Sequence, residues 1–141
     1  MYLDIFSFFA QANALFFLQV FCSLFLAILF LQSGFNKVFR WDENWSWLSD
    51  HFKDSYLEKP TTPLLVIITI VEVGAGVFSA VGVVALFLGT TKWAYLGAVL
   101  ATINITMLFF GQRIVKEYEG AADLVAYFIV CVISVYILGG L

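Results

Sequence analysis

Four long apolar runs constrain this chain more than any other feature. They occupy about residues 12–36, 63–87, 93–112 and 120–139. A helix needs roughly 20 apolar residues to cross the hydrocarbon core of a bilayer, and each run comes close to that. Barrel strands would instead be about ten residues long and alternate apolar with polar positions. The expected fold is therefore all-α: a polytopic membrane protein folded as a four-transmembrane-helix bundle, with residues 1–141 as a single domain. The charge content agrees, since 12% of the 141 residues are charged and 62% are hydrophobic. A soluble domain carries about 25% charge. This balance excludes a cytosolic enzyme, a disordered linker and a nucleic-acid binder, which would need a basic stripe.

The breaks between runs are marked by turn formers. Pro60 and Pro63 suit the first turn of the second span. Gly89-Thr90-Thr91-Lys92 makes a short turn, Gly111-Gln112-Arg113 ends the third span, and Gly139-Gly140 follows the fourth. Residues 2–11 are also apolar, interrupted by Asp4 and Gln11, and read either as an interfacial lead-in or as an extension of the first helix. No Lys or Arg precedes the first run and no small-residue cleavage site follows it, so it does not read as a removable signal peptide. An even number of spans places both termini on one side. Six cations (Lys37, Arg40, Lys53, Lys59, Arg113 and Lys116) flank the opposite side, against Lys92 alone on the terminal side. The positive-inside rule makes the cation-rich side cytoplasmic and both termini extracytoplasmic.

The stretch from 41 to 59 is the one sizeable polar segment. Within it Trp41, Trp45, Leu48, Phe52 and Tyr56 recur every three or four residues, which places them on one helical face. An aromatic face of this kind suits an amphipathic helix lying at the interface between spans one and two. It reads as a membrane-hugging connector, or alternatively as a lid or a docking surface to which Trp47 would add. His51, alone in this segment, reads as incidental.

Glu72 is the most informative residue. It stands about 14 Å into the second span at 1.5 Å per residue, near the midplane. An isolated carboxylate there costs at least ~2.5–3.5 kcal/mol, so it should be protonated, paired or turned to a polar cavity. Gly74, Ala75, Gly76, Ser79, Ala80 and Gly82 follow it, and the Gly76/Ala80 spacing permits close approach of a neighbouring helix. Candidate partners gather toward the same end: Lys37 after Gln32, Ser33 and Asn36; Gln112 and Arg113; and Glu119 with Asp123. Asn104 and Thr106 lie deeper in span three. The set reads either as ion pairs that fix helix packing or as a ligand-binding cluster of Lys37, Glu72, Gln112, Arg113 and Asp123, with Glu72 as the candidate catalytic group. Candidate ligands are a headgroup, a quinone-like ring, a proton or a small anion.

Other chemistry finds little support. Cys22 and Cys131 lie at similar depth but read as packing residues. No metal spacing, no His pair for haem and no Gly-rich nucleotide loop occurs.

Three stretches together resemble the DoxX family of small four-helix membrane proteins. Ser33-Gly34-Phe35-Asn36-Lys37 resembles the family's ending to its first helix, and Glu72-Val73-Gly74-Ala75-Gly76 its Glu-x-x-x-Gly. The run from Gln112 to Ala122 is similar to its Arg-x-x-Lys-Asp-x-x-Gly-Ala, with Glu117 standing in place of the Asp. The Trp-rich 41–59 segment maps to no family motif. The resemblance implies a bacterial inner-membrane bundle with Lys37, Glu72 and Arg113 as its polar centre. It also implies association with redox systems, because members are named as small subunits of thiosulfate:quinone oxidoreductases or quinol-oxidase assemblies.

Two functions follow as expectations. One is a subunit of a quinone-linked redox complex, with a quinone or lipid-like ligand meeting Glu72 and no covalently bound cofactor. The other is a non-catalytic scaffold that docks other membrane subunits, or further copies of itself, through Trp41, Trp45, Trp47, Phe52 and Tyr56. A carrier or channel is less favoured, since four spans leave little room for alternating access and no inverted repeat is evident.

Overall fold

A computed structural model describes residues 2–53 and 61–139, with side chains from residue 14 onward except those of 52, 61 and 62. Five helices follow in order: α1 (Tyr2–Phe39), α2 (Trp41–Phe52), α3 (Thr61–Phe87), α4 (Lys92–Ile114) and α5 (Tyr118–Gly139). Four of them carry stretches long and apolar enough to cross a membrane: Ala14–Phe39, Pro63–Phe87, Lys92–Ile114 and Tyr118–Gly139. The protein is thus an all-α, multi-pass membrane bundle, and no strand occurs among the described residues. Residues 2–11 continue α1 as helix, which decides between the two readings of that stretch.

Short connections force sequential helices to lie antiparallel. Helix α3 ends in a Schellman motif, where Gly89 N–H bonds Leu86 C=O at 3.1 Å and Thr90 N–H bonds Ala85 C=O at 3.1 Å. Gly89 supplies the left-handed φ of 96° that this motif needs. Helix α4 ends the same way, through Lys116 N–H to Arg113 C=O at 3.2 Å and Glu117 N–H to Gln112 C=O at 2.8 Å. Here the left-handed position is held by Lys116, with φ of 62°. A Cβ in that conformation costs roughly 1–2 kcal/mol. Lys116→Gly is therefore expected to raise stability by about 1 kcal/mol, read as a higher melting temperature in detergent. An unchanged or lower value would count against strain at this cap.

The core is built from small residues on α3 and α4, which allow close backbone approach. Ala75, Ala94, Ala98 and Ala101 are buried beside Leu26 and Phe30 of α1. A Cβ at Gly76 would stand 2.7 Å from the Leu31 backbone nitrogen, and one at Gly97 would stand 2.6 Å from that of Ser79. At these two points backbone packs directly against backbone. Far from the α2 end, Gln19 Nε2 donates to the Ile137 carbonyl at 2.9 Å and ties α1 to α5. The opposite end, where α2 lies, is looser and polar.

Candidate functional site

Helix α2 follows α1 after a single residue, Arg40, so the chain must fold back over the end of the bundle. Asn44 secures this return, donating through Nδ2 to Asn36 Oδ1 at 3.1 Å and to the Arg40 carbonyl at 2.9 Å. Leu48 is buried against Leu65 of α3, with Trp41 packed beside them. The aromatic face read from the sequence is therefore split. Trp41 and Leu48 turn inward, while Trp45 is 40% exposed; Trp47, off that face, is 50% exposed. The Phe52 side chain and all of Tyr56 lie outside the described residues.

Beneath α2 is a cavity of about 440 Å³. Asn36 and Lys37 of α1, Asn44, Trp47 and Leu48 of α2, Ile68 of α3 and Gln112 of α4 contribute walls. Small-molecule sites run from about 300 to 1,000 Å³, so the size suits a ring-sized ligand. Behind Lys37 stands Glu72. The Lys37 ammonium donates to Glu72 Oε1 at 3.3 Å and lies 3.1 Å from Oε2. The acid is 3% exposed and the lysine side chain 19%, so Lys37 bridges a sealed carboxylate and an accessible cavity. Lys37 sits in the last turn of α1, where the helix dipole also favours a cation.

A deeper polar group meets α3 one turn from Glu72. Asn104 is fully buried and donates through Nδ2 to the Ile68 carbonyl at 3.1 Å, one turn before Glu72. Asn104 Oδ1 and Glu72 Oε2 have no hydrogen-bond partner among the described residues. For Oε2 the nearby ammonium supplies charge without hydrogen-bond alignment.

Of the residues expected to form one cluster, Lys37, Glu72 and Gln112 come together, and Arg113 and Asp123 do not. Arg113 is exposed, with its guanidinium 4.5 Å from the centre of the Tyr118 ring. Successive helical residues point about 100° apart, so a Gln112 turned to the cavity carries Arg113 outward. Asp123 and Glu119 are both exposed on α5. Cys22 is half-buried, Cys131 is buried, and both are free thiols.

His51, read from the sequence as incidental, belongs to the site. Its ring stacks on Trp47, with centroids 3.8 Å apart and planes at 27°. Its Nδ1 lies 2.8 Å from the Trp47 carbonyl, and its Nε2 lies 3.9 Å from Glu117 Oε2. A smaller space of about 40 Å³ shares Trp47, Leu48, Ile68, Leu108 and Gln112 with the main cavity and reaches His51 and Glu117. The four-residue spacing of Trp47 and His51 was a usable signal for the stack. Nothing in the sequence paired His51 with Glu117, 66 positions away.

Fold and site together define a multi-pass helical membrane protein with a cavity of mixed polar and apolar lining beside a short amphipathic helix. No protein-family model, no curated protein and no solved structure matches the chain.

Proposed function

We propose that this protein is a DoxX-like inner-membrane subunit of a quinone-linked redox complex, holding a quinone or similarly amphipathic ring beneath α2. The observation that carries this reading is the Lys37–Glu72 pair at the wall of a ring-sized cavity. When bound, such a ring supplies two-electron, two-proton chemistry, with the electrons exchanged through the partner complex. The residues of this chain bind, orient and handle protons. Trp47 offers an aromatic wall and Lys37 an N–H for a ring oxygen. Glu72 holds or yields a proton through Lys37, shielded from lipid by the close packing of α1, α3 and α4. Arg113 has no part in this geometry, which leaves Lys37, already neutralised by Glu72, to meet a ring oxygen. That balance favours a neutral carbonyl or hydroxyl over a phosphate. In the proposed orientation the cavity faces the cytoplasm and both termini face outward.

The close α1–α3 and α3–α4 approaches at Gly76 and Gly97 support a receptor over a carrier, because they leave no path between those helices at Leu31 and Ser79. Proton transfer by a positioned side chain contributes about 10²–10⁴-fold. Glu72→Gln is accordingly expected to lower quinone-linked electron transfer at least about 100-fold in membranes that contain only the variant. The amount of protein in those membranes should stay unchanged. Full turnover with Glu72→Gln would overturn the proton-handling role.

A further inference from the structure

The His51–Glu117 contact sets two hydrogen-bond acceptors against each other at a partly open edge of the bundle, with side chains 31% and 40% exposed. The 2.8 Å approach of Nδ1 to the Trp47 carbonyl requires the proton on Nδ1, since a carbonyl only accepts. In the neutral imidazole Nε2 is then an acceptor. It faces Glu117 Oε2, a second acceptor, across 3.9 Å. That gap is too long for a hydrogen bond, and it has no donor of its own. Lys116, next to Glu117, is exposed, as are Asp50 and Lys53 beside His51 on α2. Of the remaining walls of this space, Met107, Gly111 and Val115 offer no side-chain donor, while Gln112 and Trp47 carry side-chain N–H groups. The space shares the Trp47 and Gln112 walls with the main cavity.

We propose that His51 Nε2, backed by Glu117, is a second polar subsite that accepts a hydrogen bond from a ring hydroxyl of the ligand held beneath α2. Resting on the cavity reading above, the site becomes two-ended. Lys37 donates to one oxygen of the ring at the inner end, and His51 accepts from a hydroxyl at the outer end. The ligand class is thereby narrowed to phenol- or quinol-type rings, with Trp47 as the wall between the ends.

Binding of decyl-hydroquinone and of its dimethyl ether to the full chain in detergent tests this. Anaerobic titration in mildly alkaline buffer would follow tryptophan fluorescence. Both probes carry oxygens for Lys37, but only the hydroquinone can donate to Nε2. One neutral hydrogen bond is worth about tenfold in affinity, so the hydroquinone is expected to bind about tenfold tighter than the ether. His51→Phe keeps a ring against Trp47 and should erase that preference. Glu117→Gln leaves Nε2 in place and should preserve most of it. A preference that survives His51→Phe, or equal binding of both probes to the unmodified protein, would overturn the subsite and leave the cavity reading standing. Failure of both probes to bind at all would overturn both.

Discussion

Lys37→Met is expected to destabilise the protein by about 3–5 kcal/mol, the usual consequence of removing one partner from a buried ion pair. Without Lys37, Glu72 must take up a proton or remain a buried unpaired charge. It is 3% exposed, and its polar neighbours, Asn104 and Thr69, donate to backbone carbonyls and not to it. The converse change is milder, because Lys37 lines the cavity and its ammonium can turn into it when Glu72→Gln removes the charge. This asymmetry separates the pair's structural contribution from its chemical one. The double variant Lys37→Met/Glu72→Leu should recover most of the lost stability, since an apolar pair of similar volume is often as stable as the ions it replaces. Melting of the detergent-solubilised single and double variants is the measurement. A double variant no more stable than Lys37→Met would mean that the two side chains are not energetically coupled.

The second large effect lies at the α3–α4 contact. Gly97→Ala places a methyl group 2.6 Å from the Ser79 nitrogen and 3.0 Å from its Cα. These are backbone atoms, so the strain cannot be relieved by a rotamer change and the helices must separate. A cost of about 3 kcal/mol, at the upper end of overpacking effects, is expected. Gly74→Ala is the matched control, for there the nearest atom is Leu100 Cδ1 at 3.5 Å, an ordinary contact. Gly74→Ala should be neutral or slightly stabilising, given the roughly 1 kcal/mol helix preference of Ala over Gly. Equal melting temperatures for the two variants would refute the close α3–α4 approach described here.

The sequence made the architecture legible because a bilayer imposes a length and a polarity on each span. The four runs, the α3–α4 turn at Gly89 and the helical character of 41–52 all follow from local composition and punctuation. Glu72 could also be singled out, since a carboxylate in an apolar helix is conspicuous wherever it points. Its partner could not. Lys37 and Arg113 are equally plausible by depth, and the choice depends on the angle at which each helix faces its neighbours. The outward turn of Arg113 and Asp123 comes from that same angle. The spacing within 41–59 predicts one aromatic face, and tertiary packing divides it between a buried Leu48 and an exposed Trp45.

Composition and periodicity alone therefore determined a four-span helical membrane protein with one acid that needs an explanation. Depth along a helix is written in the chain, one residue at a time. Azimuth is set only when small residues on α3 and α4 bring two backbones together and Asn44 folds α2 over the end of α1. That packing decided which cation meets Glu72, gave the bundle a cavity, and joined His51 to Glu117 across 66 residues of sequence.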